Sequence, residues 1–453
     1  MDDSETTHKR GRKLKYSHIL IVLLLIVVGA FVVFRLSVRS KLRSKIDAIR
    51  AAGYPVTCEE LDQWYSIPET AENAAYIILD AFEFYQKPQD SKLLPLLGKA
   101  ELPARNIPLS EETKNIIAQY LSDNQKTLEL LHEAATFEHS RYPIDLSLGL
   151  GTLVPNLQDL RQSVKLLNLE AMIHAEKNES QPATQSLIAG LGIANSLSEE
   201  PIIVSQLVRI SCQALTVSIL ERVINRTDFT DEQLVELGRD FTNSQNLSGI
   251  SRAFVGERCQ LLSVFEDPTI LTPELFGGKT LPAPILELYK ALGLADRDAI
   301  VYLDLMNDYI ETTQLPLHQR QRAAGTIEAK LKATSKVHIL LHKFMPAFSR
   351  VITLEIRAIA QLRTARVGLA VQRYRLATGH LPDALADLVP TYLDAVPEDP
   401  FDGRELRYEK LETGFVVYSV GEDRRDDGGT ERLPTGEKKK APSSWDITFI
   451  VER

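Results

Sequence analysis

The acid-rich stretch 422–446 holds the residues best suited to chemistry. Glu422, Asp423, Asp426 and Asp427 fall beside Gly428-Gly429, and Asp446 lies within an alternating apolar pattern that follows. Hard cations such as calcium take about six to eight oxygen ligands, from carboxylates and backbone carbonyls held on a flexible loop. Asp423, Asp426, Asp427 and Asp446 are therefore the candidate metal ligands, with calcium the candidate ion. The plainer reading is a charged surface loop, which Lys438-Lys439-Lys440 favours for its second half.

Other constellations fall short. His338 and His342 are four apart, a spacing that can place two imidazoles on one helix face as metal ligands. Ile339, Leu340 and Leu341 separate them, so the glutamate of a zinc protease is missing. Glu129 and His132 make one Glu-x-x-His unit, whereas a di-iron bundle needs two such units and two further glutamates. Gly278-Lys279-Thr280 has the end of a phosphate-binding loop, but Pro273 stands where its first glycine is required. No G-x-S-x-G elbow and no G-x-G-x-x-G fingerprint occurs. Cys58, Cys212 and Cys259 are too few and too scattered for a disulfide framework or a thiolate metal site. They read as small buried apolar residues. No catalytic residue is assigned.

The elements that must position these residues are mostly helical. Residues 37–52 read as a basic helical neck, ended by Gly53-Tyr54-Pro55, with a capping box from Thr57 to Glu60 opening a short helix. Ala74, Ala75, Ile78, Ala81 and Phe82 recur at helical spacing and predict a helix over 71–86. A proline-containing loop follows over 87–109. Ser110 with Glu111 and Glu112 opens a helix predicted to run to about residue 134. From 156 to 265 helix follows helix, with breaks at 178–182, 198–201 and 225–229 and a second capping box between Thr230 and Gln233. Such lengths and breaks predict stacked antiparallel hairpins. The pair 156–198 resembles a tetratricopeptide-type unit, without a fixed period across the region.

Residues 267–284 read as a surface loop, after which long helices run to about 378. Gly379 and Pro382 stop the last of them. A short helix is predicted near 383–389. Residues 406–411 and 415–420 flank Glu412-Thr413-Gly414 as a hairpin, and 445–451 alternates as a third strand. The fold class is therefore mainly α: one N-terminal transmembrane helix, a large antiparallel helical domain, and a small C-terminal α+β module of one helix and a three-stranded antiparallel sheet. The boundaries are 1–16 for a basic cytoplasmic tail, 17–36 for the transmembrane helix, 37–349 for the helical domain and 350–453 for the module.

The run 19–34, ILIVLLLIVVGAFVVF, carries no charge. A bilayer core needs about 20 helical residues, which Ser17, His18 and Leu36 complete, with Arg35 able to snorkel. Arg35-Leu36-Ser37-Val38-Arg39 follows it and supplies no small-residue cleavage site, so the run reads as an uncleaved membrane anchor. Five basic residues precede it and five follow, so charge does not orient it. A short cytoplasmic tail with the large domain outside is the commoner arrangement.

Charge is distributed unevenly. Residues 1–45 carry ten Lys/Arg and three Asp/Glu, a net of +7, while the whole chain is −9, leaving −16 for the rest. So acidic a body argues against nucleic acid as a partner. The basic collar suits anionic lipid headgroups.

Residues from about 355 onward resemble the C-terminal part of the major pseudopilin of type II secretion systems. The resemblance rests on Ala370-Val371-Gln372-Arg373-Tyr374-Arg375 leading to Thr378-Gly379-His380-Leu381-Pro382. It continues through Leu388-Val389-Pro390, Tyr392-Leu393, Val396-Pro397-Glu398-Asp399-Pro400-Phe401 and Tyr418-Ser419-Val420-Gly421-Glu422-Asp423. It implies a long helix on a small antiparallel sheet with calcium in the loop between the last strands, and matches Asp423 and Asp446 to the family's aspartates. Arg424 stands where the family usually has glycine. The prepilin signal is absent, since 30–34 contain no acid, so a processed pilin subunit is not implied. Pro55-Val56-Thr57, Trp64-Tyr65 and Glu72-Asn73-Ala74-Ala75 look like a group of uncharacterised bacterial membrane-anchored proteins. The reading is a membrane-anchored, non-enzymatic envelope scaffold with an unknown protein partner. The alternative is a hydrolase-like extracytoplasmic enzyme whose site is assembled from distant residues.

Overall fold

The computed structural model describes residues 6–88, 90, 92–270, 282–345, 348–431 and 445–453. Gly278-Lys279-Thr280 and Lys438-Lys439-Lys440 lie outside them. Helix α1, Thr6–Ala51, carries the apolar run into the basic neck without a break. From His18 it is long and apolar enough to cross a membrane, and its apolar window is not buried in the protein. The helix Ile203–Ile224 also passes on length and composition, but two-thirds of its apolar window is buried, as in a core helix.

The helices after α1 are α2 (Cys58–Trp64), α3 (Ala74–Phe84), α4 (Glu111–Asp123), α5 (Gln125–Ala134) and α6 (Leu157–Glu176). Next come α7 (Ser180–Asn195), α8 (Ile203–Ile224), α9 (Asp231–Asn243), α10 (Gly249–Glu266) and α11 (Ala283–Ala291). The last are α12 (Leu294–Thr312), α13 (Leu317–Ala333), α14 (Ile339–Phe344) and α15 (Phe348–Thr378). Strands β1 (Arg407–Lys410), β2 (Phe415–Ser419) and β3 (Ile447–Val451) close the chain.

Two compact units are present. The first comprises Met1–Thr57, Arg258–Leu305 and Thr334–Pro346. Leu42 and Ile49 of its helix α1 are buried. Arg35 reaches Asp296 of α12 at 3.0 Å, and Lys45 pairs with Asp304. The rings of Phe265 and Tyr302 lie 5.0 Å apart.

The second unit comprises Cys58–Glu257, Met306–Ala333 and Ala347–Arg453. Helices α6, α7 and α8 pack mutually, α3 packs on α5, and α9 packs on α7. The expected breaks between α6, α7, α8 and α9 are all present, and Thr230 and Gln233 form the capping box that opens α9. The helix expected over 110–134 is divided at Asn124. Its side chain accepts from the Gln86 N–H at 2.8 Å and donates to the Gln86 and Tyr120 carbonyls, so the break ties α4 to the end of the preceding segment. The short helix expected near 383–389 is a single 3-10 turn, Leu385–Leu388.

Helix α15 lies against α8, α9 and α13 and also carries β2 and β3. The sheet runs β1-β2-β3, antiparallel throughout, with Tyr408 opposite Val417 and Val417 opposite Phe449. Gly414 makes the β1–β2 turn at φ +91°, where a Cβ would meet the Val451 carbonyl at 1.8 Å. No other residue fits there. Asn225 at the end of α8 docks the sheet edge. It donates to the Ile450 carbonyl at 3.0 Å and accepts from the Glu452 N–H at 2.7 Å.

Gly368 lets α15 approach the sheet, since a Cβ there would lie 2.4 Å from the fully buried ring of Phe449. Gly368→Ala is expected to destabilise the protein by about 1–3 kcal/mol through overpacking. Gly325 on α13 faces open space, so Gly325→Ala is expected to stabilise slightly, by up to about 1 kcal/mol. Urea unfolding of the two variants checks the contrast. Equal effects would refute the close packing at Gly368.

Candidate functional site

The stretch 422–431 folds back on the end of the sheet, and its acids have different fates. Glu422 is claimed by α15: Arg357 Nη2 reaches its Oε1 at 2.7 Å and Arg350 Nη1 its Oε2 at 3.2 Å. Asp423 is exposed and accepts the Arg425 N–H at 3.1 Å. Asp426 accepts from the Tyr418 hydroxyl and the Gly428 N–H, both at 3.1 Å. Arg424, between them, sits at φ +60°, the left-handed region that glycine favours.

Asp427 and Asp446 come together. Residues 427–429 turn around the Asp446 carboxylate, whose Oδ2 accepts the N–H of Asp427 at 3.2 Å and of Gly429 at 2.8 Å. The Asp446 N–H in turn donates to the Thr430 carbonyl at 3.0 Å. Asp446 is 2% exposed. Its second oxygen, Oδ1, is buried without a hydrogen-bond partner, and so is Asp427 Oδ2. Burial, reinforced by the charges of Asp427 and Asp426, pushes the Asp446 carboxyl up to about 6. Among the described residues, no three His, Cys, Asp or Glu side chains converge as a metal-binding group. A cation held here would use Asp427, Asp446 and backbone carbonyls rather than all four aspartates.

Asp399 shows the opposite condition. It is fully buried, and both oxygens are satisfied: Oδ1 by the Phe401 N–H and the Ser419 hydroxyl, Oδ2 by the Val420 N–H and Arg407. It fastens the 397–406 loop to the end of β2.

The histidine pair separates. His338 is buried at the N-cap of the short α14, whereas His342 is exposed and faces the Thr334 carbonyl at 3.2 Å. The His338 Nδ1 meets Asp298 Oδ1 at 2.6 Å, and Arg297 donates to its Nε2 at 3.1 Å. Asp298 Oδ2 accepts from Tyr289 and from the N–H groups of Leu340 and Leu341. This histidine locks α12 to α14, and among the described residues its ring meets Asp298 and Arg297 rather than a hydroxyl or thiol. The Glu129–His132 unit also separates. Glu129 pairs on the surface with Gln125 and Lys126, while His132 Nε2 turns to Glu170 of α6 at 2.7 Å.

The last contact lines a cavity that the sequence reading missed. Glu170 Oε2 also accepts from Ser186 of α7 at 2.7 Å. The order is Ser–Glu–His with the carboxylate in the middle. A nucleophilic triad needs the imidazole in the middle to take the hydroxyl proton. Since α5, α6 and α7 each contribute one residue, no linear spacing could reveal the group. All three cysteines are buried and free of disulfides, and burial pushes the Cys212 thiol up to about 12.

Glu200 was also missed. It is 2% exposed, bonded by Ser205 and by Tyr65 at 3.4 Å, and burial pushes it up to about 7. Glu221, Glu257 and Glu355 are raised by burial as well.

No protein-family model, no curated protein and no solved structure matches the chain.

The raised Glu200 has a definite consequence for stability. Its folded pKa exceeds the ordinary value, so the folded state retains a proton that the unfolded chain releases. The contribution to stability is full below about pH 4 and is lost as pH rises through about 7. Glu200→Gln is therefore expected to flatten the fall of unfolding free energy between about pH 5 and 7, by at most ~1.4 kcal/mol per pH unit. Urea unfolding at a series of pH values measures this. An identical slope in the variant would remove Glu200 as a contributor.

Proposed function

We propose that the protein is a single-pass, membrane-anchored scaffold of the bacterial envelope, with its acidic helical body outside the cytoplasm presenting surface to a protein partner. The observation that carries this reading is the apolar stretch of α1, which stays exposed over its whole length while its lower turns are buried at Leu42 and Ile49. An apolar surface of that size needs a bilayer to cover it. Arg35 and Lys45 are engaged by Asp296 and Asp304. Arg39, Lys41 and Arg43 remain exposed on the same helix, where anionic headgroups would meet them.

The scaffold reading is preferred to a hydrolase because the polar constellations serve packing. His338 and Asp298 join two helices, Asp399 is saturated, and Ser186 donates to Glu170, with no hydrogen bond to an imidazole among the described residues.

The C-terminal module closes around a cation, calcium by its donor chemistry, in a pseudopilin-like arrangement. Two orphaned buried carboxylate oxygens, Asp427 Oδ2 and Asp446 Oδ1, support this. Leaving such oxygens unpaired is costly, and a hard cation supplies what they lack. The left-handed Arg424, at a position where the family uses glycine, agrees with that loop shape.

Two measurements test the proposal. A reporter fused after Arg453 is expected to be active only in an exported compartment, and activity confined to the cytoplasm would reverse the orientation. Separately, millimolar calcium is expected to raise the melting temperature of the full-length protein in detergent relative to chelator. Binding to the folded state alone contributes about 2.7 kcal/mol at a hundredfold excess over Kd. The rise should vanish when Asp427→Asn and Asp446→Asn are combined. Equal midpoints for the wild type would end the calcium reading and leave the anchor untouched.

A further inference from the structure

We propose that the cavity bounded by α5, α6, α7 and α9 binds a small organic cation bearing a primary amine or guanidinium group. The cavity has a volume of about 420 Å3, which suits a small molecule. Its polar wall is made by His132, Glu170, His174, Ser186 and Glu236, and Ile188 and Ala189 add apolar surface.

The charge balance selects the ligand. No lysine or arginine is among the described residues that line the cavity. Burial alone would raise the Glu170 carboxyl. Hydrogen bonds from His132 and Ser186, with the nearby His174, hold it below the usual carboxylate range. It is therefore ionised. Both hydrogen bonds fall on Oε2, so Oε1 is left for a ligand. Glu236 enters from α9 and makes no hydrogen bond or ion pair among the described residues.

The imidazoles are already engaged: His132 uses Nε2 on Glu170, and His174 uses Nδ1 on Glu179, each at 2.7 Å. The cavity thus offers two carboxylates with no lysine or arginine among its described lining. An anion would meet two carboxylates, and a neutral polyol could donate hydrogen bonds to them but would supply no charge. A metal ion lacks a converging ligand set among the described residues. An ammonium or guanidinium group donates several N–H bonds and supplies the missing charge.

The test is calorimetry on the full-length protein in detergent at low salt, where exposed charge is least screened. The probes are 1,4-diaminobutane and agmatine, with 1,4-butanediol and succinate as the neutral and anionic comparisons. At least one of the two cations should bind with one-to-one stoichiometry, and the diol and diacid should not. Glu170→Gln and Glu236→Gln should each weaken binding by about tenfold or more. Glu129→Gln, on the outer side of α5, should leave it unchanged. If Glu170→Gln does not fold, Glu236→Gln decides the matter, because that side chain is only partly buried. Absence of binding by both cations, equal binding of the diol, or an affinity indifferent to the glutamate substitutions would overturn the proposal.

Discussion

The burial of α15 on two opposed sides is the constraint on which the second unit depends. An amphipathic helix buries one stripe and leaves the rest to water. This helix must satisfy α8, α9 and α13 on one side and the sheet on the other. Apolar and small residues therefore recur almost all round it: Ile352, Ile356, Ala360, Ala365 and Val371 are each fully buried or nearly so. Its arginines solve the remaining difficulty. Their aliphatic stems cover apolar surface while the guanidinium heads travel outward to fixed acceptors. Arg373 reaches Asp231 of α9, Arg363 the Glu398 carbonyl, Arg357 Glu422, and Arg375 the carbonyl of Arg453. The helix is thus a core element and a set of tethers at once.

Ionisable groups inside this body are held at a cost that their partners only partly offset. Glu355, 2% exposed on α15, meets Arg320 at 3.1 Å, yet its Oε1 has no hydrogen-bond partner. Burial still dominates and raises it to about 7. A buried ion pair of this sort is weak evidence for stability, because desolvation opposes the Coulomb gain. Its effect is geometric: it fixes the register of α13 against α15. Arg105 works similarly at the surface of the sheet, where Glu221, Glu431 and Glu452 share one guanidinium. The acidic balance of the chain is thus partly internal, carried by carboxylates that burial keeps from ionising fully.

Local signals were legible and cross-chain ones were not. Breaks between helices showed in the sequence because asparagine, proline and capping residues act on their own backbone, as Thr230 and Gln233 do. The strands showed through period-two alternation, and the hairpin through Gly414. The split at Asn124 did not show, because its reason is a hydrogen bond to Gln86, 38 positions earlier. The histidines mislead for the same reason. Spacing places His338 and His342 on one face only if both are inside a helix, and His338 instead caps α14. His132 pairs with Glu170 across helices rather than with Glu129 along one. The aspartates of the C-terminal loop were identifiable as a class, but their separate fates follow from how 427–429 fold around Asp446.

A buried acid can be structural or ligand-binding, and hydrogen-bond accounting separates the two. Asp399 and Asp446 lie at the same end of one small sheet and are equally inaccessible. Every lone-pair direction that matters at Asp399 has a donor: two backbone N–H groups, a serine hydroxyl and an arginine. Such a group has no remaining capacity, and adding a cation would displace a bond it already makes. Asp446 has donors on one oxygen only, and the atom left over is buried beside an acidic neighbour with an orphaned oxygen of its own. Natural interiors rarely leave such atoms unmatched. Two buried acceptors, Asp427 Oδ2 and Asp446 Oδ1, stand without a donor among the described residues. Of the four aspartates of the motif, Asp427 and Asp446 are the two that hold a buried oxygen without a hydrogen-bond partner.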